Sequence, residues 1–271
     1  MYKRNVNWHE AAVCAMQIEL RDYSHLLDFY SEYILGRNNY RIDLLIIHRL
    51  PDVPIQKNIA RLFNTYNLFE IKALGSSLTS DAYYKTNGYA GLLIDSCGKR
   101  NQYTRQNISL SFLSYHYPRK LFRHLTEDCK LILDKISPGI YYINNEMYRT
   151  QVLVTCELPP EENLYLHCLR RNMDNIPLVN RLADDYKSHQ NEKIYIQYMD
   201  QLTRASMNSE GGSAMVCEGI LNICGTSSKE IEERAIKATK EAADAFYLPQ
   251  IEKQKEEIAY LKAQLALYEN N

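Results

Sequence analysis

Residues 68–74 read Leu-Phe-Glu-Ile-Lys-Ala-Leu, so two opposite charges stand within a short apolar stretch. The pattern predicts a buried strand, bounded by Asn67 before it and by Gly75-Ser76-Ser77 after it. Side chains alternate between the two faces of a strand, so Glu70 and Lys72 point the same way, about 7 Å apart. Two interpretations are open: the two charges pair with each other at a sheet edge, or they belong to a chemical site.

A second acid lies in another predicted strand. Asp43 falls near the start of the apolar run 41–47, where a buried acid is costly unless it is paired or bound to a metal. If the two strands are adjacent, Asp43 and Glu70 converge on one cation, with the backbone carbonyl of Ile71 as a natural third ligand. Few, hard oxygen ligands suit Mg²⁺ or Mn²⁺. Lys72 beside such a cation would stabilise negative charge on a phosphoryl group.

The first predicted helix, residues 8–33, offers a third acid. Glu19 lies on or near the apolar stripe of this helix rather than on a solvated face. The residues of the stripe recur at spacings of three and four: Ala12, Met16, Leu20, Tyr23 and Leu27.

Strands and short helices alternate up to Pro159-Pro160, and the pattern beyond is almost wholly helical. We therefore expect an α/β fold, with a mixed domain over residues 1–158 and a helical region over residues 159–271. The further predicted strands are 107–113, 131–136, 140–143 and 151–155, and the further predicted helices of the first domain are 81–93 and 118–125.

The chain is predicted to end in a short, coiled-coil-like helix beyond Pro249. Ile251, Ile258 and Leu265 share one heptad position, and Leu261 and Tyr268 share the other. Fewer than three heptads are short for a coiled coil on its own. The stripe is therefore expected to pair with a second copy, giving a homodimer, or to pack back on its own domain.

Composition narrows the class of protein. The chain has 271 residues, 45% of them hydrophobic, which is ample for a core, and no apolar run approaches a membrane span. The N-terminus lacks the apolar stretch of a signal peptide, and the seven cysteines include no C-x-x-C pair. We expect a cytoplasmic protein with reduced thiols, no zinc site and no membrane partner.

Charge is distributed unevenly along the chain. Residues 1–150 hold 19 Lys and Arg against 14 Asp and Glu, whereas residues 151–271 hold 13 against 19. The half with the candidate site is therefore mildly basic, which weakly indicates an anionic partner.

The arrangement of Glu19, Asp43 and Glu70-Ile71-Lys72 resembles the PD-(D/E)xK nuclease superfamily. More narrowly, the chain is similar to the bacterial PD-(D/E)xK nuclease family transposases, which are akin to recombination-promoting nucleases. The resemblance spans about residues 10 to 145. It is carried by the segments AMQIELRDYSHLLDF, RIDLLIIHR, NLFEIKALGSSLTSDAYYKTNGYAGLL, PRKLFRHL and SPGIYYI.

The resemblance implies a restriction-endonuclease-like core, with a helix ahead of a β-meander and the acidic motif on its second and third strands. It implies that Asp43, Glu70 and the helical Glu19 bind the divalent metal and that Lys72 assists hydrolysis. The expected function is a Mg²⁺-dependent DNA endonuclease acting in recombination or transposition. The alternative is an inactive nuclease fold that serves as a nucleic-acid-binding or protein-interaction module.

The chain departs from the family pattern at several points. Ile42 stands where the motif expects proline, and a literal Pro51-Asp52 follows downstream. Asp52 is rejected because two prolines flank it in a predicted turn. The Gln-x-x-x-Tyr box of some relatives is absent, and Lys85 and Tyr89 take a similar place on one helix face, where they could contact phosphate.

A basic and aromatic stretch is the remaining candidate for DNA binding. Residues 115–124 read YHYPRKLFRH, and Arg119, Lys120 and Arg123 could contact backbone phosphates. An ordinary solvated helix face explains the same pattern.

Overall fold

The computed structural model describes residues 6–35, 40–95, 102–170 and 175–208, together with Lys255. The chain divides into two compact units, Met1–Gly225 and Thr226–Asn271. The predicted coiled-coil segment lies outside the described residues, apart from Lys255, which is helical and exposed.

A seven-stranded mixed sheet occupies the centre of the first unit. Its strands are β1 (Leu27–Leu35), β2 (Tyr40–His48), β3 (Tyr66–Ile71), β4 (Ile108–Ser114), β5 (Ile132–Ser137), β6 (Ile140–Asn144) and β7 (Arg149–Val154). They lie in the order β1-β2-β3-β4-β7-β6-β5. β4 runs parallel to both of its neighbours, and all other pairs are antiparallel. The predicted α/β class is confirmed, and the sheet is compatible with a nuclease-like core.

Helices cover the sheet on both faces. They are α1 (Trp8–Glu19), α2 (Ser80–Asp95), α3 (Arg119–Arg123), α4 (Leu164–His167), α5 (Ile176–His189) and α6 (Lys193–Asn208). Tyr83 of α2 stacks on Phe112 in β4, whereas Trp8 and Ala12 of α1 line a small cavity with Leu113, the next residue of β4. Since successive strand residues face opposite sides, α1 and α2 lie on opposite faces. Every residue of β4 is accordingly buried.

The predicted helix over residues 8–33 is wrong beyond Glu19. The helix stops there, a 3₁₀ turn covers Arg21–Tyr23, a further turn follows, and the edge strand β1 begins at Leu27. Leu20, Tyr23 and Leu27 keep helical spacing only by coincidence. The aromatic and β-branched residues that follow favour a strand, and pairing along the full length of β2 stabilises it.

The helices that follow the sheet belong to the same compact unit. α4 and α6 pack against α1, and the unit continues to Gly225, so the predicted boundary at residue 158 falls inside it. Among the described residues, no helix combines the length and the apolar character that a membrane crossing needs.

The described cysteines form no disulfide. Cys14, Cys129, Cys156 and Cys168 are all free thiols. Burial raises the pKa of Cys14 and that of Cys168 to about 12, so both stay protonated and unreactive near neutral pH.

Candidate metal and catalytic site

Three carboxylates line up across the first three strands of the sheet. Leu44 of β2 pairs with Phe69 of β3, so the next position along places Asp43 opposite Glu70. On the other side, Glu32 lies between two residues of β1 that pair with the neighbours of Asp43, so it faces Asp43. Like charges directly opposite each other destabilise a sheet. This row therefore requires positive charge around it.

Two lysines supply that charge at Glu70. The Glu70 side chain is only 3% exposed, and its Oε1 atom accepts hydrogen bonds from Lys72 Nζ at 2.7 Å and from Lys85 Nζ at 2.8 Å. Lys72 lies one residue beyond β3 and so returns to the face of Glu70. The buried carboxylate is thus paired twice, which offsets the cost of removing it from water.

Helix α2 delivers the second lysine. Thr79 Oγ1 accepts a hydrogen bond from the Ala82 N–H and caps the first turn of the helix. The helix then crosses over β3 and places Lys85 and Thr86 side by side against Glu70. Burial alone lowers the pKa of Lys85, but the contact with Glu70 more than reverses this and raises the pKa above its usual value. Lys85 therefore stays charged.

Asp43 is held against the end of β3. Its Oδ2 atom accepts a hydrogen bond from the backbone N–H of Ile71 at 2.7 Å. Burial alone raises the pKa of Asp43, but the neighbouring His9 and this N–H outweigh burial and lower the pKa. The carboxylate is therefore ionised at neutral pH and available to a cation. The Ile71 carbonyl was predicted as a further ligand, and that role stays a prediction.

His9 is a member of the site that the sequence did not reveal. Asn7 caps α1 by accepting from the Glu10 N–H, which fixes His9 in the first turn. Its Nδ1 lies 3.4 Å from Glu32 Oε1 and its Nε2 lies 3.6 Å from Asp43 Oδ2. Among the described residues, that buried Nε2 has no hydrogen-bond partner. His9, Glu32 and Asp43 each offer one ligand atom within 4.8 Å of the others.

Two further features distinguish His9 and Glu32: the pKa of His9 is shifted, and the backbone of Glu32 has an unusual conformation. Burial alone lowers the pKa of His9, but Asp43 and Glu32 beside it raise the pKa above its usual value. Glu32 has φ of 51°, in the left-handed region that few residues other than glycine adopt, and Arg41 Nη1 lies 3.6 Å from its carboxylate. Such strain is frequent at functional sites.

Glu19 does not belong to the cluster formed by His9, Glu32, Asp43 and Glu70. It lies ten residues after His9 in α1, about 15 Å along the helix axis. Its Oε2 accepts from Lys57 Nζ at 2.7 Å, and its Oε1 accepts from the Tyr165 N–H at 2.7 Å. The carboxylate thus ties α1 to α4 and lines a separate cleft of about 510 Å³.

The other predicted residues fall in several places. Lys85 belongs to the cluster, and its Nζ lies 5.5 Å from the centre of the Tyr89 ring. Asp52 lies in an exposed turn. Arg119, Lys120 and Arg123 are exposed on α3, and within the described ranges no carboxylate pairs with any of them.

Searches of protein-family models, curated proteins and solved structures found no match to this chain.

Proposed function

We propose that this protein is a divalent-metal-dependent nuclease that hydrolyses phosphodiester bonds in DNA. The observation that carries the proposal is that Asp43 lies opposite Glu70 on the adjacent strand while Lys72 Nζ contacts the Oε1 atom of Glu70. The resemblance of the motif to the recombination-promoting nucleases extends the proposal to recombination or transposition.

The donor atoms of the cluster fit a divalent cation. Asp43, Glu70 and Glu32 offer hard carboxylate oxygens, which suit Mg²⁺ and Mn²⁺. His9 adds an imidazole nitrogen that makes no hydrogen bond and lies 3.6 Å from Asp43, and Mn²⁺ tolerates such a ligand better than Mg²⁺ does. His9, Glu32 and Asp43 would hold the cation, and Glu70, opposite Asp43 on β3, would complete the site.

A bound cation would supply positive charge to the scissile phosphate and would lower the pKa of water in the site. The lysines of the chain supply the rest. Because Glu70 accepts from both Lys72 and Lys85, Lys72 can turn towards a phosphate oxygen while Lys85 keeps Glu70 paired. Lys72 would then stabilise the charge that develops on the phosphoryl group.

Cleavage of supercoiled plasmid tests the proposal. The wild-type protein should nick DNA with Mn²⁺ or Mg²⁺ and not with EDTA, and Lys72→Ala should lower the rate by about 100-fold or more. Asp52→Ala is the matched control, because it removes an exposed aspartate from a nearby turn. Full activity in Asp43→Ala, or activity lost in Asp52→Ala instead, would overturn the assignment.

A second candidate is a nuclease fold that binds DNA or a protein partner without cleaving it. The paired state of Glu70 favours this reading, since its two lysines satisfy the carboxylate with no cation. DNA binding in EDTA that Asp43→Asn leaves unchanged, with no cleavage under any metal, would select this candidate.

A further inference from the structure

A second cleft lies at the opposite end of the strands from the carboxylate row. It has a volume of about 300 Å³ and opens where β2 ends and β7 begins. Its lining includes His48, Arg61, Phe63 and Arg149. His48 follows Asp43 by five residues of the same strand, about 16 Å, so this cleft is separate from the carboxylate row.

His48 is buried in the wall of this cleft without satisfying its ring. The residue is 2% exposed, and within the described part of the chain neither ring nitrogen has a hydrogen-bond partner. Its backbone N–H donates to the Thr65 carbonyl at 2.8 Å, which fixes the residue in place. Burying an imidazole without partners costs free energy, so a ligand in the cleft would recover that cost.

The charge of the cleft is positive. Arg61 and Arg149 both line it, and no acidic side chain of the described residues does. Arg149 makes no ion pair with any residue that the structure describes, and Arg61 makes only a long hydrogen bond, 3.4 Å, to the Gln56 carbonyl. The cleft therefore favours an anion.

The number of hydrogen-bond donors in the cleft favours a phosphate over a carboxylate. Two guanidinium forks and one imidazole N–H present about five donors, whereas a carboxylate accepts about four hydrogen bonds. A phosphate monoester carries more charge and three terminal oxygens.

The remaining wall is mainly apolar. It consists of Pro51, Pro54, Ile55, Ala60 and Phe63 together with Gln56, and Phe63 is held edge-on against Phe69 of β3 at 5.8 Å between ring centres. Such a wall suits a flat apolar body attached to the anionic group, and the volume matches the lower range of small-molecule sites.

We propose that this cleft binds a nucleoside 5′-monophosphate group. The phosphate lies between the guanidinium groups of Arg61 and Arg149 and the imidazole N–H of His48, and the base lies against Pro54 and Phe63. The group has two sources, a free mononucleotide or the 5′-phosphorylated end of a nucleic acid strand. The site stands independently of the nuclease proposal, because it shares no residue with the carboxylate cluster.

Imidazole NMR of the full chain in EDTA tests the proposal. The His48 resonances, assigned by their loss in His48→Gln, should shift on titration with deoxyadenosine 5′-monophosphate. Arg149→Gln should weaken binding about tenfold or more, and Arg181→Gln, an exposed arginine on α5, should leave it unchanged. No shift at millimolar nucleotide, or equal affinity in Arg149→Gln, overturns the proposal.

Further experiments identify the source of the bound nucleotide group and test whether the cleft is independent of the carboxylate cluster. A 5′-phosphorylated oligonucleotide that binds more tightly than the mononucleotide, and is weakened by Arg149→Gln, assigns the cleft to strand ends. Binding of the mononucleotide alone assigns it to a free nucleotide. Asp43→Asn should bind the mononucleotide as the wild type does, and a loss there would contradict a separate site.

Discussion

At the scale of single residues, Glu70 explains why a buried strand carries charge. Its carboxylate is almost fully enclosed, yet two lysines bond to one of its oxygens and Asp43 stands opposite on β2. The sequence was sufficient to anticipate this neighbourhood, because strand alternation places Glu70 and Lys72 on one face. It was not sufficient for Lys85, whose distance from Glu70 depends on how α2 crosses the sheet.

Replacing Glu19 by Ala should destabilise the fold without affecting metal binding. The change leaves Lys57 and the Tyr165 N–H without their buried acceptor, so the free energy of unfolding should fall by about 2–4 kcal/mol. Chemical denaturation measures this loss, and Mn²⁺ titration should give wild-type affinity. Glu19→Gln, which keeps an acceptor, is the milder control. A folded Glu19→Gln variant with weakened Mn²⁺ binding would return Glu19 to the metal site.

Replacing His48 should reduce the sensitivity of the fold to acid. Burial lowers the pKa of His48, so as pH falls through about 6.5 the unfolded chain takes up a proton before the folded one does. Stability from this group is complete above that pH and is lost below it. His48→Gln should therefore flatten the fall of the unfolding free energy with pH. Part of the fall should remain in the variant, because burial and Arg170 lower the pKa of His167 as well.

Comparing slopes rather than stabilities isolates the proton, since any packing cost of the His48→Gln change is the same at each pH. Denaturation in phosphate-free buffer on both sides of pH 6.5 provides the slopes. An unchanged slope would show that His48 is not held neutral.

At the scale of elements, the sequence predicted the buried strands and the exposed edge strand β5, and it missed β1 at the other edge. β3 and β4 are buried on both faces, so their composition alone marks them. β1 exposes much of its surface, and its residues carry no clean alternation. Its strand state comes from pairing with β2, which is a tertiary interaction.

Because β1 was missed, Glu32 was missed as a member of the site, and His9 was overlooked separately. Glu32 fell inside a predicted helix, so nothing indicated that it faces Asp43. His9 did leave a signal, because it precedes Ala12 by three residues and so lies on the apolar stripe of α1. A histidine on this stripe was a candidate metal ligand, but the motif of Asp43, Glu70 and Lys72 does not include a histidine.

Removing the three cations of α3 should weaken DNA binding through the phosphate backbone. Leu121 and Phe122 anchor α3 in the core, so Arg119, Lys120 and Arg123 can change without unfolding it. The triple Ala variant, in EDTA, should bind DNA more weakly, and its log–log salt dependence should decrease by up to about 3. Arg181→Ala, on α5, is the control. An unchanged salt slope would assign α3 to ordinary solvation.

At the scale of the whole molecule, the two ends of the strands carry opposite chemistry. The row of carboxylates with its lysines lies towards one end, and the cationic cleft of His48, Arg61 and Arg149 lies at the other. This separation allows each site to be altered alone. The sequence could not show it, because Arg61 and Arg149 are 88 positions apart by their numbers and meet only through the strand order.

Self-association is predicted to depend on the C-terminal stripe. Ile251, Ile258, Leu261, Leu265 and Tyr268 would bury apolar area against a second copy, and so short a helix needs such a partner. Sedimentation should show a dimer of the full chain at micromolar concentration and a monomer after truncation following Leu248. A monomeric full chain rules the dimer out, and a dimer that survives truncation places the interface elsewhere.

The central claim is that Asp43 and Glu70 hold a divalent cation together. Titration calorimetry with Mn²⁺, on full chains that have been freed of metal, tests it most directly. We expect saturable binding to the wild type and to the exposed-turn control Asp52→Asn, and no detectable binding to Asp43→Asn or Glu70→Gln. Undiminished binding in Asp43→Asn, or none in the wild type even with DNA present, would contradict it.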